Sequence, residues 1–205
     1  MRTLTTTGHG TVDVAPDAAD VRVAAAARAG SVLEAVRVVD EAVRLVGTLA
    51  RDHTEGRDIA SSGLSVWPQR DRDDRLTGYQ ARHSLVIRCP DLTAAGRLLG
   101  RLVEEVGDRL VVEGVSLVVT DRQPHEDAAR EAAWADARRR AEHLAALAGS
   151  RLAGVAAVAE GSLSVHLGDA MPGDVGAVRS SLELSFEGGE QTVASHVTVT
   201  WEIVD

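Results

Sequence analysis

The chain has 205 residues and a formal net charge of −9, long enough for a sizeable core and too acidic for nucleic acid as a main partner, which needs clustered cations. Only 2% of the residues are aromatic, leaving few rings on which bases could stack, and every cation is an arginine. The lack of lysine excludes Schiff-base catalysis and a P-loop, and the single cysteine, Cys89, excludes an intramolecular disulfide.

The opening MRTLTTTGHGTVDVAPD holds no continuous apolar run and so no secretory signal. Uncharged apolar runs such as Leu152 to Ala159 fall far short of the ~20 residues of a membrane helix. These features predict a cytoplasmic protein with no membrane attachment. From Asp17 onward strands and helices alternate. Val21, Val23, Ala25 and Ala27 alternate against Arg22 and Arg28, a half-buried strand. Ser31-Val32-Leu33-Glu34 is a capping box, followed by Val32, Val36, Val39, Val43, Val46 and Ala50 at helical spacing. Ile59 to Trp67 and Tyr79 to Arg88 read as a hairpin around the charged loop Arg70 to Thr77. Asp91 caps a helix carrying Leu92, Ala95, Leu99, Leu102 and Val106, closed by Gly107. Leu110 to Val119 is a strand with too few polar residues for a wet face.

That order is β-α-β-β-α-β, the split arrangement of ferredoxin-like folds. A long helix follows, with Pro124 at its start and Gly149 at its end. Ala129, Ala133, Ala137, Ala141 and Ala145 recur every four residues along it and form one stripe, widened by Leu144, Leu147 and Ala148. Glu126 with Arg130, and Asp136 with Arg140, are acid-before-base pairs at i,i+4. A strand near Arg151 to Glu160 and a loop from Ser162 to Val178 come next. Leu182, Leu184 and Phe186 then alternate with Glu183 and Glu187, and Gly188-Gly189 turns the chain. Val193, Val197, Val199, Trp201 and Ile203 alternate with Thr192, His196, Thr198, Thr200 and Glu202, a one-sided antiparallel strand. The expected class is α+β: antiparallel or mixed sheets, a ferredoxin-like βαββαβ core, a long alanine-rich helix and a closing β-hairpin. The chain reads as one domain, 1–205, with possible sub-lobes at 17–121 and 122–205.

Several motifs, in this order, carry a resemblance to a known family. They are Gly8-His9-Gly10 followed by Val14-Ala15-Pro16-Asp17; Gly78-Tyr79-Gln80-Ala81; the Ala133, Asp136-Ala137-Arg138, Ala141, Leu144-Ala145 and Gly149 pattern; and Gly189-Glu190 before a Val-Thr-Val strand. Together they span nearly the whole chain, and the sequence resembles the bacterial SIMPL-domain family, proteins without an agreed biochemical activity. The resemblance implies an opening strand, a glycine turn and a Pro-Asp entry into the second strand. It further implies homo-oligomeric assembly and an association with stress tolerance. Arg139-Arg140 stands where lysine is common in that family.

No residue set rises to a catalytic, cofactor-binding or metal site. Gly8-His9-Gly10 is no dinucleotide loop, because Asp13 takes the third glycine's place and Pro16 leads into a strand. Asp71, Asp73 and Asp74 lack the glycine of a calcium loop, and Arg82 stands where its bidentate glutamate belongs. The seven histidines form no His-x-x-x-His or His-x-His pair, so a transition-metal site would have to be assembled from distant parts. His83 lies on the apolar parity of its strand and reads as a hydrogen-bonded core or interface histidine; it is the residue to name if a site exists. Cys89 reads as a structural thiol, Arg138-Arg139-Arg140 as a solvated helix face, and Trp67, Trp134 and Trp201 as packing residues. No Gly-x-Ser-x-Gly elbow anchors a hydrolase triad. The leading expectation is a non-enzymatic, self-associating, stress-associated scaffold without cofactors. The alternatives are a cofactor-free ligand binder or enzyme with a cleft between the sheet and the long helix, and a regulatory module that binds a protein partner.

Overall fold

The structure is a computed structural model that describes residues 2–161, 164–167 (backbone) and 188–205. The expected strand 182–187 and most of the expected loop 162–178 lie outside these residues. In chain order the elements are β1 (Arg2–Val14), β2 (Ala18–Ala29), α1 (Val32–Ala50), β3 (Ile59–Arg70), β4 (Leu76–Cys89), α2 (Leu92–Val106), β5 (Leu110–Val118), α3 (Gln123–Leu147), β6 (Arg151–Glu160), β7 (Ser164–Leu167) and β8 (Gln191–Val204). The class is α+β, and both sheets are antiparallel. The described residues divide into two compact units.

The unit formed by 17–118 contains a sheet of order β3-β4-β2-β5, with α1 and α2 sharing its core. Val21 and Val23 of β2, Leu85 and Ile87 of β4, Val39 and Val46 of α1, and Leu98 and Leu102 of α2 are buried together. Both expected N-caps are present: Ser31 Oγ accepts from the Glu34 N–H at 3.2 Å, the first half of the expected capping box, and Asp91 Oδ1 accepts from the Ala94 N–H at 2.7 Å. One expectation needs correcting. β5 is not covered throughout: Val112 and Glu113, next to the register shift in its pairing with β2, are exposed, and the other residues of this edge strand are only half covered.

The other unit, 2–16, 119–161, 164–167 and 189–205, builds a sheet of order β1-β8-β6, with β7 also pairing to β8. Helix α3 covers one face. Its alanine stripe is buried throughout, as its spacing predicts. Leu144 and Leu147 do not widen that face: they are 43% and 73% exposed. Residues 164–167 lie within the expected loop yet pair with Gln191–Ala194 of β8.

The implied glycine turn at Gly8-His9-Gly10 is also corrected. β1 runs unbroken through it, in register with β8 from Arg2 opposite Ile203 to Val14 opposite Gln191. The glycines serve a different purpose. A Cβ at Gly8 would collide with the backbone of Ala133 and Ala137, lying 2.8 Å from Ala137 Cα; one at Gly10 would collide with the backbone of Ala129 and Ala133 and lie 2.8 Å from Ala132 Cβ. Residues two apart in a strand share a face, and residues four apart in a helix share a stripe. Gly8 and Gly10 therefore meet Ala129, Ala133 and Ala137 with no side chain larger than a methyl between the two backbones. Thr6, next along that face, donates its hydroxyl to the Ala137 carbonyl at 2.9 Å and accepts from Trp201 Nε1 at 2.9 Å.

Candidate functional site

The sequence-derived candidates fall at separate places. His83 sits half-buried on β4, where Nε2 lies 2.8 Å from Ser61 Oγ of β3. A serine within reach of an imidazole is the first contact of a nucleophile–base pair. Among the described residues, however, no carboxylate bonds the ring's other nitrogen to orient it. Ser61 was not visible from sequence, because the β3–β4 register shifts between Ser61 and Gly63. Cys89 is fully buried, and burial above all, with the Asp91 and Asp20 charges, pushes its thiol up to about 11. Such a thiol is protonated and unreactive at neutral pH.

Asp71 organises a turn. Its Oδ1 accepts from the Asp73 and Arg75 N–H groups, each at 2.9 Å, so this carboxylate oxygen already serves the backbone. Trp134 and Trp201 pair at 5.4 Å between ring centroids, tilted by 57°, whereas Trp67 belongs to the other unit. Among the described residues no group of three or more His, Cys, Asp or Glu is placed to hold a metal ion, and no helix is long and apolar enough to cross a membrane.

Asp136 organises the docking of α3. Its side chain is 9% exposed, accepts from the His9 backbone N–H at 3.1 Å, and pairs with Arg140 at 2.9 Å and with Arg139. Among the described residues β1 is an edge strand with no neighbouring strand to receive the His9 N–H; the helix supplies the acceptor instead. That hydrogen bond, then the Arg140 and Arg139 charges, hold the carboxyl below the usual carboxylate range against the opposing effect of burial. A depressed folded-state value means the contribution is complete above the unfolded value of about 3.9 and is lost as pH falls through the folded one. Asp136→Asn is therefore expected to be less stable than wild type at pH 7, with the gap narrowing as pH drops below about 4. Urea unfolding at pH 7 and pH 3 checks this; an equal gap at both would remove ionisation from the argument. Of the Arg138-Arg139-Arg140 run, two members thus serve this clamp, and Arg138 pairs with Glu142 at 2.8 Å.

The sheet and α3 of this unit also enclose a recess of about 380 Å³, lined by Arg130, Glu131 and Trp134 of the helix, Val158 and Glu160 of β6, and Val197 of β8. Arg130 donates to Glu160 at 2.6 Å across its rim and stands 3.8 Å from Glu126. The lining offers an indole, two valines and a neutralised ion pair. It has the means to hold an apolar group, with the Glu131 carboxylate as a further polar member of the lining beside the Arg130–Glu160 pair. Beside it, Val155 and Val158 of β6 are 46% and 54% exposed.

Two curated relatives, each called "26 kDa periplasmic immunogenic protein", come from Brucella melitensis biotype 1 and Brucella abortus (strain S19). Each is 27% identical over 168 residues, covering 75% of this chain and 64% of the relative, so the chain spans less than two thirds of their length. Their name overturns the expectation of a cytoplasmic protein. That expectation rested on the composition of the opening residues, and these are built into β1, so their pattern records a strand rather than an address. The SIMPL family model, described as "Protein of unknown function (DUF541)", matches residues 4–201 and so takes in the glycines of β1, the alanine stripe with Asp136, and most of β8. The chain belongs to the SIMPL family.

Proposed function

We propose that this protein is a non-enzymatic, self-associating scaffold that acts in the periplasm. The observation that carries the self-association is the outer edge of β6. It ends the sheet order β1-β8-β6, and among the described residues no strand pairs with it. Exposed Val155 and Val158 and the recess against Trp134 lie on the same strand or next to it. An unpaired edge flanked by apolar side chains is a template for a strand of a second copy. The periplasmic location is supported by the name of the Brucella relatives. A stress-associated role is part of the reading through the family resemblance alone.

Light scattering at micromolar concentration is expected to give a multiple of the monomer mass for wild type and a smaller assembly for Val158→Glu, which places a charge on that edge. A monomeric wild type would overturn the reading. The recess supports a second reading, a cofactor-free binder of small apolar molecules, in which Trp134 fluorescence would respond to the ligand while the assembly stayed intact. The order β3-β4-β2-β5 with two intervening helices supports taking the sub-lobe 17–121 as the split ferredoxin-like arrangement. The family match across both units supports treating 1–205 as one domain.

A further inference from the structure

On the face of the β1-β8 sheet turned away from α3, polar residues meet in cross-strand rungs. Thr5 and Thr200 hydroxyls lie 3.0 Å apart, Thr7 and Thr198 hydroxyls 2.9 Å apart, and Thr192 donates to Asp13 at 2.7 Å. Between these rungs His9 stands directly opposite His196, with ring centroids 6.2 Å apart and planes 31° from parallel. Among the described residues neither ring hydrogen-bonds a protein group, while the rungs of Thr5, Thr7 and Asp13 are closed.

The backbone shows why these two side chains approach. The His9 N–H is directed off the sheet to Asp136, and the His196 carbonyl accepts from the Gly161 N–H at 3.0 Å on the opposite side. Neither residue's group is directed at the other, which marks a non-hydrogen-bonded rung, the type in which Cα atoms come to about 4.5 Å and side chains lie closest. Gly161 keeps the neighbourhood open: the His196 ring lies where a Cβ at position 161 would stand. His9 is exposed and His196 half-buried, so the pair is reachable from solvent.

We propose that His9 and His196 form a two-imidazole site for a late first-row divalent ion, Cu²⁺ above all, on the exposed face of this sheet. Imidazole suits copper, nickel and zinc, and affinity at a given nitrogen site peaks at Cu²⁺. With metal–nitrogen bonds of about 2 Å, two rings sharing one ion have centroids about 5–6 Å apart, so side-chain rotation closes the pair without backbone movement. Two protein ligands leave the remaining positions to water or an external donor, which suits capture and exchange of the ion more than a structural role.

The test is a calorimetric titration of untagged protein with Cu²⁺, with electron paramagnetic resonance of the complex. One ion per chain with nitrogen coupling from two imidazoles is expected. His9→Gln or His196→Gln should each weaken binding by about tenfold or more, because loss of one ring turns a chelate into a single contact. His143→Gln, which changes an exposed histidine of α3, should leave binding unaltered. Melting temperature guards against misfolding: without metal the variants should match wild type, and Cu²⁺ should raise it only where both rings remain. No stoichiometric uptake, or uptake retained in the His9→Gln/His196→Gln double variant, would overturn the proposal.

Discussion

Gly8→Ala is expected to destabilise the protein by about 1–3 kcal/mol or more, although it adds one methyl group to a β-strand, where alanine is ordinarily no worse than glycine. The added Cβ would collide with the backbone of Ala133 and Ala137. A neighbouring side chain could rotate away; a helix backbone cannot, so relief requires α3 to lift off the sheet. Lifting α3 lengthens the Thr6–Ala137 hydrogen bond and the reach of Asp136 to the His9 N–H together. Ala137→Leu approaches the same contact from the helix side and should cost a similar amount by overpacking. Gly63→Ala is the matched control, since nothing lies within 4 Å of the Cβ it would add. Denaturant unfolding separates the cases. Gly8→Ala and Ala137→Leu indistinguishable from Gly63→Ala would mean that the two backbones are not in contact.

This contact also marks how far the sequence could be read. Helix α3 was legible because its signals are local: Pro124 at the start, Gly149 with φ 67° after the end, and alanines at a four-residue spacing between them. What the stripe faced was not legible. For Gly8-His9-Gly10 a turn was implied only by the family resemblance, whereas here β1 is extended and what counts is the missing Cβ. The usable signal was a match of spacings, glycines two apart in a strand against alanines four apart in a helix. Asp136 looked like an i,i+4 partner of Arg140, and it is one. Its contact with the His9 N–H could not be foreseen, because edge-strand status depends on the full strand order. His9 and His196 share no local motif, and only the register of β1 on β8 brings them together. A cleft between the sheet and the long helix was among the alternatives the sequence offered, but the residues that line the recess come from α3, β6 and β8 and share no local motif.

Trp201→Ala is expected to have the largest effect of any single truncation in the β1-β8-α3 unit, about 3–5 kcal/mol. Trp201 is 4% exposed, packs with Val197, Val199 and the alanines of α3, and contacts the Trp134 ring. Its fully buried neighbours are alanines and valines, and the larger ones, Leu4, Trp134 and Leu152, are only partly buried at the margin of the cluster, so the space it would leave is filled incompletely. The indole also has a polar duty. Its N–H donates to Thr6 Oγ1, and that hydroxyl donates onward to the Ala137 carbonyl, so one chain of bonds joins β8, β1 and α3. Trp201→Phe separates the two contributions: it keeps most of the ring, removes the donor and should cost about 1 kcal/mol for the bond, with a further packing loss from the smaller ring. Thr6→Val removes the middle of the chain, leaving the indole N–H and the Ala137 carbonyl without their partner, at about 1–3 kcal/mol. If the chain acts as a unit, the double variant Trp201→Phe/Thr6→Val should be more stable than the sum of the single losses implies, because the second change no longer strands a buried donor. Strict additivity in that cycle would show that the indole holds this unit together by its volume alone.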